Sequence, residues 1–460
     1  MNEGRGPTLT RALGVWDLTL LSVVAVANLN VVPVIAGAGP TTMWLWIAAL
    51  LLFFLPQGIG VIELSHRMPA EGGLYVWTRE TFGDLHGFLC GWCYWTTNMF
   101  FIPTLLFYLV GIVTYIAGFG NNPLLFACLT IGLLWLTALA NIRGAGVGKW
   151  VNNIGGIGTS VAAVILILLG IASVVRFGVS LSASSFAPRR MDWSIISSFG
   201  LICFGLVGLE LGPVMGGEIR DPQRTVPRGV FYGGVFSGVQ YIGATLAILL
   251  AVPEQDVRAL QGVLQGVDKM AARLGFGWLL LPLAGLLAIS VVGSTSAWLS
   301  GSGRILFVSG LDRYLPEVFG RIHPKHHTPH VALIGIAALS SVLILVSFMG
   351  QSSVHEAYVT LLDLAVVLQM FSYLYLYASL ARVAFGPSGK ASIRFAAVSG
   401  LLTTLIGTVV AFVPSRQVDS VWRFELKMFI TCALFMAVAA GLFAYYSHRR
   451  PRVAAAAVEA

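Results

Sequence analysis

The sequence predicts an all-α polytopic membrane protein with twelve transmembrane helices, and three observations carry that prediction. Of the 460 residues, 57% are hydrophobic and only 10% are charged, more apolar surface than a soluble chain of this size can hide. The apolar residues gather into roughly a dozen runs of about 20, the length that crosses a hydrocarbon core of about 30 Å. Short charged loops separate the runs at regular intervals, with no long soluble insert, which argues against a stacked soluble core.

The first expected span, 14–38, contains LLSVVAVANLNVVPVIAGA and is interrupted near its middle by Asn28, Asn30 and Pro33. Proline removes a backbone donor and disfavours helical geometry at Val32, and asparagine competes with the helix through its side chain. The second span, 41–64, runs into RMPAEGGLYVWTRETFG (67–83), polar at one end and aromatic at the other, which is expected to lie along the inner interface. The third span, 84–118, carries Asn98; the fourth is 122–142 and the fifth 150–175. The sixth, 192–216, is interrupted by Gly205, Gly208 and Gly212 and holds one carboxylate, Glu210, inside its apolar run. Glycine and an acid are both costly in a spanning helix, so a sequence that keeps both is using them.

Spans at 229–252 and 276–308 follow. Between them, 253–275 places apolar residues at helical spacing among charges and reads as a short surface helix on the outer side, a lid over the entrance. Spans at 330–349, 356–381, 395–414 and 425–447 complete the set, and the tail after Arg452 is expected to be disordered. The start, MNEGRGPTLTR, is short and polar and the first span has no small-residue cleavage site, so no cleavable signal peptide is expected.

Most lysine and arginine falls in alternate segments, among them Arg67 and Arg79, Arg143 and Lys149, Arg220, Arg224 and Arg228, and Arg304, Arg313, Arg321 and Lys325. The positive-inside rule then puts those loops and both termini in the cytoplasm, in the plasma (cell inner) membrane. The net charge of +8 follows from this topology; no basic–aromatic surface points to nucleic acid. Cys90, Cys93, Cys128, Cys203 and Cys432 lie in apolar runs and read as small buried hydrophobes rather than a metal or redox site. His323, His326, His327 and His330 share one cytoplasmic loop without cysteine partners and read as a solvated positive loop, not a metal centre. No catalytic Ser/His/Asp set, Walker loop or dinucleotide fingerprint occurs, so neither an enzyme nor a cofactor is expected.

Two interrupted spans, five apart, form the pattern of an inverted-repeat transporter with a midplane site. Backbone unwinds at membrane depth only where protein or a water-filled cavity satisfies it. The plainer alternative is a proline kink in one span and close-packing glycines in the other. Glu210 is the first candidate for proton coupling, set against a structural hydrogen bond to its own helix or to Asn98. Asp363, the second acid in an apolar run, would pair with Glu210, attract a cationic substrate, or simply sit near a helix end. Ser294, Thr295 and Ser296 would coordinate sodium, set against the ordinary packing role of hydroxyls in spanning helices.

GEIRDPQRTVPRG at 217–229 resembles the signature after the sixth helix of the amino acid–polyamine–organocation (APC) superfamily. Three further segments resemble it in the same order: ELSHRMPAEGGLYVWTRETFG (63–83), VNN (151–153) and GRILFVSGLDRYLPEVFGRIHPKHHTP (303–329), the last closest to cationic amino acid transporter relatives. The resemblance implies an amino acid permease type of carrier in one membrane domain. It would have two five-helix inverted repeats, 14–175 and 192–381, two extra helices within 395–447, and alternating access. It also implies that the substrate carboxylate meets backbone amides of the broken first helix (Leu29, Asn30, Val31 and Val32, with Pro33 offering no donor). The amine would meet carbonyls near Ala27 and Asn28 and around Cys203, Phe204, Gly205 and Leu206, close to Gly208. Half-helix N-termini favour anions and C-termini favour cations, in keeping with that arrangement. Phe204 falls at the family's aromatic gate, set against an ordinary core phenylalanine, and Glu210 where some members carry a functional acid; apart from the resemblance, Asn98 in the third span would line the site or make a plain interhelical hydrogen bond.

Two departures stand out. ANLNVVP replaces the usual glycine-rich motif of the first helix and looks more like glutamate/γ-aminobutyrate exchangers and polyamine carriers than neutral amino acid carriers. Thr159, or a small residue near it, stands where proton-coupled cationic amino acid relatives have a lysine. The function implied is secondary transport of amino acids by proton-coupled symport or exchange, with the lipid bilayer as solvent and the proton favoured over sodium. The alternatives are a polyamine carrier, which the sparse acids in the spans disfavour, and a non-transporting membrane sensor with the same fold. A channel would show a repeated pore loop or a ring of charges, and neither is present.

Overall fold

A computed structural model describes residues 11–118, 122–178, 183–187, 193–251, 262–312, 314–349, 354–387, 389–412 and 421–449. Ten described helices are long and apolar enough to cross a membrane, and the regular structure among the described residues is helical. These ten coincide with ten of the expected spans. The other two, 14–38 and 192–216, are each divided into a longer and a shorter helix. The first comprises α1 (Val15–Val26) and α2 (Val31–Ala36), the second the helices at Trp193–Gly205 and Leu211–Val214.

Between these broken spans come α3 (Thr42–Ala49) and α4 (Leu55–Arg67), joined by a π-helical turn at Leu50–Phe54, then α5 (Leu74–Phe82), α6 (Asp84–Ala117), α7 (Pro123–Ile142) and α8 (Ala145–Phe177). The second broken span is α9 (Trp193–Gly205) and α10 (Leu211–Val214). It is followed by α11 (Pro222–Ala251), α12 (Gly262–Leu274), α13 (Leu280–Leu311), α14 (His330–Met349), α15 (Val354–Ala384), α16 (Ala391–Ala411) and α17 (Val421–Arg449).

Prolines inside the spans dictate several cross-helix bonds. Pro56 cannot donate to the carbonyl four residues back, Leu52, and that oxygen instead accepts the hydroxyls of Ser399 (2.8 Å) and Thr403 (3.1 Å) on α16. Pro103 likewise frees the Met99 carbonyl in α6, which accepts Ser340 of α14 at 3.3 Å. Each freed acceptor is satisfied by a neighbouring helix, as a medium without water requires.

One expectation is sharpened and one is corrected. Within residues 67–83, Leu74, Tyr75, Trp77 and Thr78 of α5 are buried against the bundle. The cause is backbone. Gly73 has φ +45°, and a Cβ there would stand 2.9 Å from Val214 Cγ2, so the segment folds back under α10 where a side chain would not fit. Cys128 is exposed on the bundle surface, while the other four cysteines are buried and unpaired. Of the expected outer surface helix at 253–275, residues 253–261 lie outside the described residues, as does the tail after Arg452. Its described part, α12, is amphipathic and buries Val263, Leu264, Val267, Met270, Ala271 and Leu274.

Candidate functional site

The two breaks meet at the centre of the bundle. Residues 27–30 separate α1 from α2, and residues 206–210 separate α9 from α10. Gly208 has φ +136°, and a Cβ there would lie 3.1 Å from the Ala25 carbonyl carbon and 3.1 Å from Val26 Cγ2. Only glycine permits that backbone and that approach. This shifts two expectations. Cys203, Phe204 and Gly205 are still helical, as the last turn of α9, so the unwinding centres on Gly208. Val31, Val32 and Pro33 are helical too; Pro33 sits in the first turn of α2, where its missing donor costs no helical bond.

The first break is held by uncharged groups. Asn28 folds back on its own helix, donating from Nδ2 to the Ala25 carbonyl at 2.6 Å. Ser294 of α13 donates to Asn28 Oδ1 at 2.7 Å, and Trp298 one turn on donates to the Ala25 carbonyl at 3.2 Å. Asn30 donates to the Tyr358 hydroxyl at 3.3 Å. Val31 and Val32 donate to the carbonyls of Asn28 and Leu29. Among the described residues, the amides of Leu29 and Asn30 and the carbonyl of Ala27 have no partner.

The second break is held by a carboxylate. Glu210, fully buried, accepts from the Gly208 amide at 3.0 Å, from Gln57 of α4 at 3.1 Å and from the Tyr94 hydroxyl of α6 at 3.3 Å. Tyr373 of α15 also donates to it and accepts from Gln57. One acid thus joins the sixth span to three other helices. Asn98 is not a partner: its Nδ2 donates to the Tyr94 carbonyl at 2.9 Å and its Oδ1 is buried without one. Asp363 does not pair with Glu210 either, and its Oδ2 is buried without a partner.

Tyr241 of α11 joins the two breaks, and sequence reasoning missed it. Its hydroxyl accepts the Asn28 amide at 3.0 Å and faces the carbonyls of Val26 (2.6 Å) and Gly205 (2.8 Å). With one proton, it serves one carbonyl fully at a time. The available signal was a tyrosine inside an apolar run, because a buried phenol needs a partner. The same signal applied to Tyr94, Tyr358, Tyr373 and Gln57.

Phe204, 5% exposed, stands edge-on to Phe101 with centroids 5.0 Å apart, and Phe101 stands edge-on to Trp298 at 5.8 Å. Through Trp298, which donates to the Ala25 carbonyl, this row of rings reaches the crossing of the breaks. Thr159 bonds its own helix and the Ser290 hydroxyl, and the Thr295 hydroxyl is buried without a partner. The rings of His323, His326 and His330 cluster, but no group of three or more metal-type side chains among the described residues could hold a metal ion.

Comparison with known proteins adds the family. A family model described as amino acid permease matches residues 13–438. An uncharacterized transporter of Legionella pneumophila is 26% identical over 443 residues, covering 93% of this chain and 95% of that protein. A probable agmatine/putrescine antiporter of Lactococcus lactis is 25% identical over 308 residues, 66% of this chain and 65% of that protein. An uncharacterized transporter of Mycobacterium tuberculosis is 24% identical over 346 residues, 73% of this chain and 74% of that protein. The ten apolar helices among the described residues of this chain make it an integral membrane protein, and the match along almost its full length places the chain in the amino acid permease family of the APC superfamily.

Proposed function

We propose that the protein is a secondary transporter of small amines, amino acids first among them, working by alternating access with proton-coupled symport or exchange. The carrying observation is the meeting of two broken spans at Gly208 and Ala25, reached by the row of rings of Phe204, Phe101 and Trp298. The free amides of Leu29 and Asn30 are placed to receive a carboxylate. The free carbonyl of Ala27 and the last turn of α9, Cys203 to Leu206, receive the ammonium, with Phe204 as the ring that closes over it. Glu210 carries the coupling proton, because it alone links the second break to α4, α6 and α15 through hydrogen bonds that a change of its charge would rearrange.

In this reading twelve spans form two inverted repeats, 14–175 and 192–381, followed by two further helices. The arginine-rich end faces the cytoplasm, and α12 covers the other end. The name of the Lactococcus relative supports a second reading, a carrier of diamines or guanidino-amines. Asp363 supports it as well, since its buried unpaired oxygen would receive a second cation.

Uptake and counterflow in proteoliposomes, over a panel of amino acids, agmatine and putrescine with and without a pH gradient, test both readings. Exchange of labelled for unlabelled substrate is expected, and Glu210→Gln should flatten the pH dependence of uptake. No counterflow with any panel member would remove the transporter reading, and an unchanged pH profile in Glu210→Gln would remove the role of Glu210.

A further inference from the structure

The arginine-rich end of the bundle is closed by four pieces of chain that meet around one guanidinium. The segment before α1 is tied down by the amides of Ala12 and Leu13, both donating to the Glu218 carbonyl, and by Arg220 donating to the Leu13 carbonyl. The loop between α4 and α5 is tied down by Gly72, donating to the Val214 carbonyl at 3.0 Å, and by Glu71, whose Oε2 accepts the Gly217 amide at 2.5 Å. Arg304 of α13 fills the middle: it binds the Glu218 carboxylate through Nε at 3.2 Å and through Nη2, and donates from Nη1 to the Ser300 carbonyl.

Glu71 is the odd group in this closure. Its Oε1 stands 4.0 Å from Arg304 Nε, too far for a hydrogen bond, and is covered without a partner, although the side chain as a whole keeps 15% exposure at the edge. Two carboxylates therefore face one guanidinium, which Glu218 already occupies. Among the described residues, no cation other than Arg304 stands within ion-pair distance of Glu71. On α1 and α8, Asp17 and Lys149 pair at 2.8 Å. Arg79 of α5 pairs with Asp312 and Glu80. Arg67 of α4 pairs with Glu63. Arg220 points its Nε to the Arg11 carbonyl at the surface. A second buried negative charge left unpaired is strongly disfavoured.

We propose that Glu71 is a proton-binding site of the closed state, holding one proton while this end is shut and releasing it to water on the same side when it opens. The inference rests on the reading that this end opens during transport. Burial first, and the neighbouring Glu218 second, push the Glu71 carboxyl up to about 8, against the opposing pull of Arg304 and the Gly217 amide. In the open state the hydrated acid returns to its ordinary range near 4.5. The proton thus stabilises the closed form fully below that ordinary value, and the effect is lost as pH rises through about 8. A difference of one bound proton raises the open-to-closed ratio by up to about tenfold per pH unit in that window.

Asn152 lines the cleft beside Glu218, Arg304 and Lys149 and is 4% exposed. In a Cys128→Ser background, Asn152→Cys reports opening through its reaction with a membrane-impermeant thiol reagent, with the same background lacking Asn152→Cys as the blank for Cys203 and the other native thiols. The same cysteine with Glu71→Gln, a neutral group at every pH, corrects for titration of the thiol itself. Between about pH 6 and about pH 8, the labelling rate with Glu71 present should rise relative to Glu71→Gln, by up to about tenfold per unit. Glu218→Gln frees Arg304 for Glu71 and should move that rise at least about one unit lower. It decides the matter alone if Glu71→Gln fails to give a monodisperse protein. Equal pH profiles with and without Glu71, or a Glu218→Gln profile in place, overturn the proton site and leave the transporter reading standing. No labelling at any pH, with the thiol titratable in denaturant, overturns the opening itself and both readings with it.

Discussion

The two breaks solve one problem with different chemistry. The first holds unwound backbone with neutral groups, Asn28, Ser294, Trp298 and Tyr241, and leaves two amides and a carbonyl unpaired. The second uses an ionisable acid as an internal cap: Glu210 accepts the Gly208 amide of its own span, and Gln57, Tyr94 and Tyr373 converge on it from three different helices. Neutral partners fix a geometry whatever the pH, whereas a carboxylate fixes it in a way that depends on charge. The first break therefore suits recognition, and the second suits coupling.

The largest expected effect comes from removing the cap. Glu210→Leu leaves the Tyr94 hydroxyl, the Tyr373 hydroxyl proton and the Gly208 amide without an acceptor, while Gln57 still donates to Tyr373. Stability should fall by about 3–6 kcal/mol, taking about 1–2 for each of the three orphaned donors. Thermal unfolding in detergent measures it. A loss no greater than that of a surface substitution would mean that the acid does not hold the second break.

Next comes the link between the breaks. Tyr241→Phe keeps the ring stacked on Trp46, at 4.6 Å between centroids, and removes only the hydroxyl. A cost of about 1–2 kcal/mol is expected, together with a large fall in the maximal rate of uptake, because Asn28 and Gly205 would no longer be tied to one group. If stability falls and turnover does not, Tyr241 braces the bundle and the breaks move independently.

The sequence made the frame legible because bilayer thickness sets span length and proline and glycine mark the breaks. It placed the first break across Asn28, Asn30 and Pro33; the asparagines stand in the unwound stretch, where side-chain competition with the helix is local, but Pro33 lies inside α2. It placed the second a few residues early, at Cys203 to Leu206, because three glycines in a row of candidates look alike. Only the crossing against Ala25 singles out Gly208. The partners of Glu210 come from α4, α6 and α15. Their convergence depends on tertiary packing, which no local pattern encodes, so Gln57 and Tyr373 passed as ordinary span residues. The burial of α5 was hidden for a similar reason: its aromatic end reads as interfacial until the two glycines before it turn it inward.

The smallest effect tests whether the first break is as neutral as its partners make it. Ser294 donates to Asn28 Oδ1, and Asn28 in turn donates to Ala25, so the hydroxyl orients an amide that caps the end of α1. A hydroxyl used in this way still has lone pairs, and sodium would compete for them together with Thr295. Ser294→Ala should cost about 0.6 kcal/mol, the average for a hydrogen bond between spanning helices, and raise the KM for uptake modestly without changing its maximal rate. Exchanging sodium for choline in the medium should leave uptake unchanged in both proteins. Sodium-dependent uptake that disappears in Ser294→Ala would instead make the first break a cation site, and the division between a neutral break for recognition and a charged break for coupling would fall.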